Sequence, residues 1–166
     1  MPASVFAVLH VPASHKSELP RVLNSKSTLP VLEAAADQPF QKGRIYVAPP
    51  DYHLLVERDC LRLWRGPKEN RHRPSINALF RSAAVAHRQR VIGVILSGAL
   101  DDGSTGLWWI KRFGGVAVVQ DPNEAAFAEM PRSALEHVAV DHVVGVPVMG
   151  PLLADLSRAE KHQNGN

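Results

Sequence analysis

Cysteine is almost missing from this chain: Cys60 is the only one in 166 residues. That excludes an internal disulfide and a multi-cysteine metal site, and it fits a reducing compartment, so the cytoplasm is the expected location. Long apolar runs are missing too. No stretch approaches the roughly 18 to 20 residues that cross a bilayer, and the opening Met-Pro-Ala-Ser carries no cationic leader, so neither secretion nor membrane insertion is expected. There is no Gly-x-x-x-x-Gly-Lys-Ser/Thr and no Gly-x-Gly-x-x-Gly after a strand, which leaves nucleotide binding without support; Gly-x-Ser-x-Gly is also absent. His15, His53, His72, His87, His137 and His142 lack metal-ligand spacing, so no metal and no other cofactor is expected. Repeats, low-complexity tracts and linkers are absent.

What is present suits a single α/β domain. With 45% hydrophobic residues, the chain can bury one sizeable core and has no room for a second. A formal charge of +3 makes it mildly basic without pointing to a partner class. Arg58, Arg62, Arg65, Lys68, Arg71 and Arg73 gather in one region, but Trp64 is the only aromatic among them; a solvated face is expected and nucleic acid is not.

The chain is organised around Val91 to Gly106. Val91 to Leu96 is a short run of mostly β-branched residues, as in a strand covered on both faces. From Gly103 the period changes: Leu107, Ile110 and Phe113 recur at helical spacing until Gly114-Gly115 supply a stop. In open α/β sheets, ligands bind beyond the carboxyl ends of the strands, so Ser97 to Ser104 is the first place to look for a site.

In chain order, Val5 to Val11 reads as a buried strand ending at His10. Ser14 or Ser17 could cap a short helix with Leu19, Val22 and Leu23 on one face. Val31 to Ala34 and Arg44 to Ala48 read as strands, with a turn-rich Asp37 to Gly43 between them. His53 to Glu57 and Leu61 to Arg65 read as a hairpin. Pro74 to about His87 is an amphipathic helix through Ile76, Leu79, Phe80 and Ala83. After the central unit come a strand at Val116 to Val119, a loop from Asp121 to Met130, a helix at Pro131 to His137, a strand within Val138 to Val144 and a helix at Pro151 to Ala159. One domain over 1–160 is expected, with 161–166 a disordered tail.

This alternation predicts a doubly wound, mostly parallel, Rossmann-like sheet with an antiparallel hairpin inserted. Right-handed crossovers put the ends of Val5 to Val11 and Val91 to Leu96 on one edge, which makes His10 and Asp102 neighbours. A carboxylate that fixes an imidazole tautomer, and an imidazole that takes a proton from a hydroxyl, form the orienting half of a nucleophilic relay. Each has another reading: His10 as a structural histidine, and Asp102, like Asp101, as the N-cap of the following helix.

The chain resembles the catalytic domain of CheB-type protein-glutamate methylesterases. The matching pieces are Val-Leu-His-Val-Pro at Val8 to Pro12, Gly-Arg-Ile-Tyr-Val-Ala-Pro-Pro-Asp at Gly43 to Asp51, and Asn-Arg-His-Arg-Pro-Ser-Ile-Asn-Ala-Leu-Phe-Arg-Ser at Asn70 to Ser82. Gly-Val-Ile-Leu-Ser-Gly-Ala-Leu-Asp-Asp-Gly at Gly93 to Gly103 and Met-Pro-Arg-Ser-Ala at Met130 to Ala134 complete the series, in the family's order. The resemblance implies hydrolysis of glutamate methyl esters on a chemotaxis receptor, with deamidation of receptor glutamine in many members. It implies His10 as base, Asp102 as orienting acid, and the Gly98-Ala99 turn as part of the oxyanion pocket, although many members carry methionine at Ala99.

The family's nucleophilic serine follows a first strand that precedes the one holding His10, and no residue here matches it. Ser4 lies six residues before His10, ~20 Å away in an extended chain; Ser14 and Ser97 do not occupy the family's position. The expectations are a sheet lacking the family's first strand, no receiver domain, and a chain inactive as written, with a non-catalytic interaction module as the alternative.

Overall fold

Nine strands and five α-helices alternate among residues 2–10 and 17–159, the residues that the computed structural model describes. The expected end of the first strand at Val11, the Ser14 cap and the 161–166 tail lie outside the described residues. The strands form three sheets of three.

The first sheet is parallel. β1 (Val5–Ala7) and β2 (Val31–Glu33) flank β4 (Ile45–Val47), with Val5 and Val31 both opposite Ile45. β1 is shorter than the expected Val5 to Val11, because Ala7 makes the last ladder contact when its carbonyl accepts the Ala48 amide; Val8 to His10 run on past the pairing. α1 (Leu19–Lys26) starts with Pro20 in its first turn, as the missing donor of proline allows, but Val22 is half exposed and does not join Leu19 and Leu23 on an inner face.

The second sheet is the antiparallel insertion. β5 (His53–Val56) and β6 (Cys60–Trp64) pair as the expected hairpin, with Val56 opposite Leu61. Sequence reasoning missed β3 (Gln38–Pro39), which lies along the far side of β6. Two residues inside a turn-rich stretch carry no period to detect, and a proline suits an edge.

The third sheet is parallel again, in the order β7 (Ile92–Ile95), β8 (Val116–Gln120), β9 (His142–Val144). Thus the mostly parallel α/β architecture holds, but its parallel strands divide between two sheets in which β1 and β7 are both edge strands. α2 (Ile76–His87) and α3 (Ser104–Arg112) pack against one another, close enough that a Cβ at Gly106 would meet the Asn77 backbone at 3.0 Å. α2 begins at Ile76 and not at Pro74, with Ser75 in extended conformation at its N-cap.

α4 (Glu129–His137) follows the loop after β8. α5 (Val146–Ala159) begins five residues before the expected Pro151, which lies within the helix. Proline breaks helices often enough that a start there was the natural reading; Val146 and Val148 are exposed, so the first turn lacks an apolar stripe.

Two apolar clusters fill the layers. Ile95, Leu107, Ile110, Ala117, Val119, Met130 and Ala134 pack under the third sheet, and Tyr46, Leu54, Val56, Leu61, Leu79 and Ala83 pack between α2 and the other two. Val8, Phe80 and Val91 touch both clusters, so Phe80 of α2 lies where the two cores join.

Candidate active site

His10 and Asp102 meet. His10 Nε2 lies 2.7 Å from Asp102 Oδ2, although 92 positions separate them in the chain. His10 sits three residues past β1, and Asp102 lies between β7 and α3, so each is carried just beyond a strand's carboxyl end.

Asp102 is fully buried and accepts four hydrogen bonds. Besides His10, they come from the Ile76 amide at 2.7 Å, the Asn77 amide at 3.1 Å and the Ser75 hydroxyl at 2.9 Å. Burial alone would push its carboxyl upward in pKa. The donors from His10, Ile76, Asn77 and Ser75 outweigh that and hold it below its ordinary 3.8. It is therefore a carboxylate at neutral pH, and a carboxylate can only accept. His10 must donate through Nε2, which leaves the basic lone pair on Nδ1.

The structure also decides how Asp102 relates to helices. It does not cap the helix it precedes; its carboxylate satisfies the first amides of α2, where the helix dipole favours negative charge. The start of α3 is capped instead by Asn77 of α2, whose Oδ1 accepts from Gly103 at 3.1 Å and Gly106 at 2.7 Å. Asp101 takes no part in the pair: its Oδ1 accepts a long bond of 3.4 Å from Asn70, and its side chain lines a cavity of about 340 Å³ with Ser104, Trp108 and Ser133.

The Gly98-Ala99 turn is built from both sides. The Gly98 amide donates to Phe127 O at 2.9 Å, and Gly98 O accepts from Met130 at 3.0 Å. A Cβ at Gly98 would meet Met130 Sδ at 2.2 Å, so the glycine is there for the close approach of α4. The Leu100 amide donates to Glu129 Oε2 at 2.7 Å with Leu100 in the left-handed region at φ 65°. Of these three amides, Ala99's alone has no hydrogen-bond acceptor among the described residues.

Ser97, the one described serine weighed as a substitute nucleophile near this turn, is already engaged. Its amide donates to Gln120 Oε1 at 2.8 Å, and its hydroxyl oxygen accepts from the Phe127 amide at 2.9 Å. Ser4 lies before β1 and Ser14 lies outside the described residues.

Half of the basic group is paired with carboxylates. Arg65 and Arg73 converge on Asp51, and Arg62 reaches Glu57 at 3.4 Å. The fully buried His53 is structural: its Nε2 bonds Pro67 O at 2.8 Å, and Nδ1 accepts from the Ser75 amide at 3.2 Å. Among the described residues no group of three or more His, Cys, Asp or Glu side chains could hold a metal ion, and no helix is long and apolar enough to cross a membrane.

Sequence reasoning passed over Ser75, Asn77, Glu129 and His72. Ser75 and Asn77 are helix-start residues whose partners lie on another element, which no local pattern reveals. His72 stacks on His10 with ring centroids 3.6 Å apart and planes 7° from parallel. Its only signal was its place in the His-Arg-Pro-Ser run ahead of α2.

An imidazole held by a buried carboxylate past the carboxyl ends of parallel strands is an arrangement that α/β hydrolases use. The chain belongs to the CheB methylesterase family, whose model matches residues 1–153. It is 40% identical over 160 residues to a Leptospira interrogans protein assigned as a protein-glutamate methylesterase/protein-glutamine glutaminase, covering 96% of this chain and 83% of that one. A protein-glutamate methylesterase/protein-glutamine glutaminase of Methanosarcina mazei is 33% identical, over 95% of this chain and 45% of its own length. The crystal structure of the Thermotoga maritima CheB methylesterase catalytic domain superposes with a TM-score of 0.90 at 30% identity, covering 93% of this chain and 84% of that one.

Proposed function

We propose that this chain carries the base, the orienting acid and the oxyanion donor of a protein-glutamate methylesterase and glutaminase acting on chemotaxis receptors. The observation that carries the reading is the 2.7 Å contact from His10 Nε2 to Asp102, which leaves Nδ1 as the site of the basic lone pair. In the reaction, a hydroxyl attacks the ester carbonyl and gives its proton to Nδ1. The carbonyl oxygen becomes an oxyanion, and the Ala99 amide, which has no acceptor among the described residues, is the donor assigned to it. Gly98, whose amide is committed to Phe127, supplies the shape of the turn and not a hydrogen bond. Collapse breaks the ester bond, and Nδ1–H returns its proton to the departing methoxide as methanol. Water then attacks the acyl ester by the same base, which releases glutamate and restores the hydroxyl; with glutamine the leaving group is ammonia. One oxyanion donor is worth about 2.7–4 kcal/mol of barrier.

The attacking hydroxyl is the part without a candidate among the described residues. Among the described residues His10 makes its one side-chain hydrogen bond to Asp102, and the Ser97 hydroxyl is held by Phe127. The 166-residue chain on its own is therefore expected to release no methanol from methylated receptor. Turnover that is clear, and abolished by His10→Ala, overturns that expectation; turnover lost in Ser97→Ala would show Ser97 recruited as nucleophile. Receptor binding without methanol release is the outcome that favours the interaction-module reading.

A further inference from the structure

We propose that His72 is a positioning residue for His10: its neutral imidazole, stacked face to face on the His10 ring, holds that ring in the plane that keeps Nε2–H on Asp102 and the lone pair on Nδ1. The proposal deepens the reading of His10 as the base and rests on it for its significance in catalysis, but the stack and the tautomer are properties of the folded chain alone.

Three observations carry it. The rings are parallel within 7° at a centroid distance of 3.6 Å, which is contact over the whole face. A hydrogen bond through Nε2 to one carboxylate oxygen leaves His10 free to rotate about that axis; a flat surface against its face removes that freedom.

The second observation is the way His72 is held. Residues Glu69 and His72 exchange backbone hydrogen bonds of 3.1 and 2.9 Å, closing a tight turn in which Asn70 (φ 47°) and Arg71 (φ 68°) are both left-handed. Such a turn favours Asn-Gly, and arginine in that region costs backbone strain. Glu69 is tied in turn to α2 by two hydrogen bonds from Arg81, at 3.1 and 2.7 Å. A strained turn fastened to the helix whose first amides hold Asp102 is a mount that keeps both partners of His10 on one element.

The third is the state of the ring. His72 Nε2 is buried and has no hydrogen-bond partner among the described residues. A charged imidazole needs acceptors on both nitrogens, so this environment suits the neutral form. Most of the charged groups that bear on it agree. His10, Lys68 and Arg71 oppose a proton on His72, Asp102 favours one, and burial opposes it most of all. Of the two rings, it is His10 that hydrogen-bonds Asp102.

The test is the imidazole ¹⁵N spectrum of the full chain at neutral pH, compared across variants whose backbone amide spectra show retained folding. Wild type is expected to show His10 as the single Nε2–H tautomer. His72→Ala is expected to raise the Nδ1–H fraction severalfold and broaden the His10 signals by exchange, while His72→Phe, which restores a flat ring without a titrating nitrogen, returns the wild-type pattern. Should His72→Ala fail to fold, His72→Leu fills the volume without a stacking face and is expected to show the same tautomer mixture. A wild-type His10 spectrum in His72→Ala, or in His72→Leu where that variant serves, overturns the proposal. Neither result depends on ester turnover, so loss of the methylesterase reading leaves this test standing, and its failure leaves that reading untouched.

Discussion

Asp102 and Asn77 cap each other's helices. Asp102, just ahead of α3, accepts the first amides of α2, and Asn77, in the first turn of α2, accepts two amides at the start of α3. The exchange locks the α2 and α3 N-termini together at the point where the carboxylate must meet His10. Asp102→Ala removes the acceptor from three buried donors and the part-buried His10, and is expected to cost about 3–5 kcal/mol, the range for breaking a buried charged network. Asn77→Ala strands two buried amides and is expected to cost about 1–3 kcal/mol. In urea denaturation the double variant should lose less than the sum, since each change already loosens the same junction.

Acid should act on this site in two stages. The unfolded chain takes up a proton on His72 near the ordinary 6.5, while the folded chain resists chiefly because of burial. The unfolded state then binds more protons, so stability contributed by neutral His72 is lost as pH falls below 6.5 toward the lower folded value. Asp102 also has a lowered folded value, so its contribution is intact above 3.8 and lost as pH falls through that lower value. Unfolding free energies measured from pH 8 to 3 should therefore fall in a first arm below 6.5 and a second below 3.8. His72→Phe should flatten the first arm and leave the second. An unchanged first arm in that variant would assign it to other histidines.

The parts of this arrangement that the sequence discloses are those with a period or a boundary. The unbroken β-branched run of β7, the apolar stripe of α2 and the hairpin around β5 and β6 each announce an element. The meeting of His10 with Asp102 is expected from handed crossovers within one sheet, but β1 and β7 lie in separate sheets, and the pair forms where the first amides of α2 hold Asp102. What stays hidden is whatever depends on a partner from elsewhere in the chain. Asp102 looks like the cap of its own helix because N-cap preference is a local statistic, and only the α2–α3 contact shows which amides it serves. Gly98 and Ala99 read alike as a turn, yet the Phe127 carbonyl takes one amide and leaves the other. β3 has too few residues for any pattern to register, and β1 ends three residues before His10 because pairing with β4 stops there.

Gly98 is a steric requirement. An added methyl would lie 2.2 Å from Met130 Sδ, and Met130 is buried in the core under the third sheet. Gly98→Ala is expected to cost about 1–3 kcal/mol, as overpacking does. Met130→Ala alone should cost about 2–5 kcal/mol through the cavity it leaves. Combining them should recover part of both losses, because the methyl enters the space that the thioether vacates. Thermal denaturation of the four proteins in the cycle measures this, and strict additivity would mean that the turn moves away from α4 at no cost.

Glu129 and Leu100 offer a more delicate test of the same turn. Leu100 is held at φ 65°, where a branched side chain is strained, and the Glu129 carboxylate receives its amide at 2.7 Å. Leu100 is 43% exposed, so replacing it removes little core packing. Leu100→Gly should therefore be neutral or stabilising by up to about 1 kcal/mol, the reverse of the usual cost of introducing glycine, because relief of strain offsets the added freedom of the unfolded chain. Glu129→Ala removes the acceptor and should release the turn, seen as faster hydrogen exchange at the Leu100 amide, whereas Glu129→Gln keeps an acceptor oxygen and should retain most of the protection. Equal exchange in Glu129→Ala and wild type would mean that the Gly98 contacts with Phe127 and Met130 suffice to hold the turn, and that the carboxylate has no part in presenting the Ala99 amide.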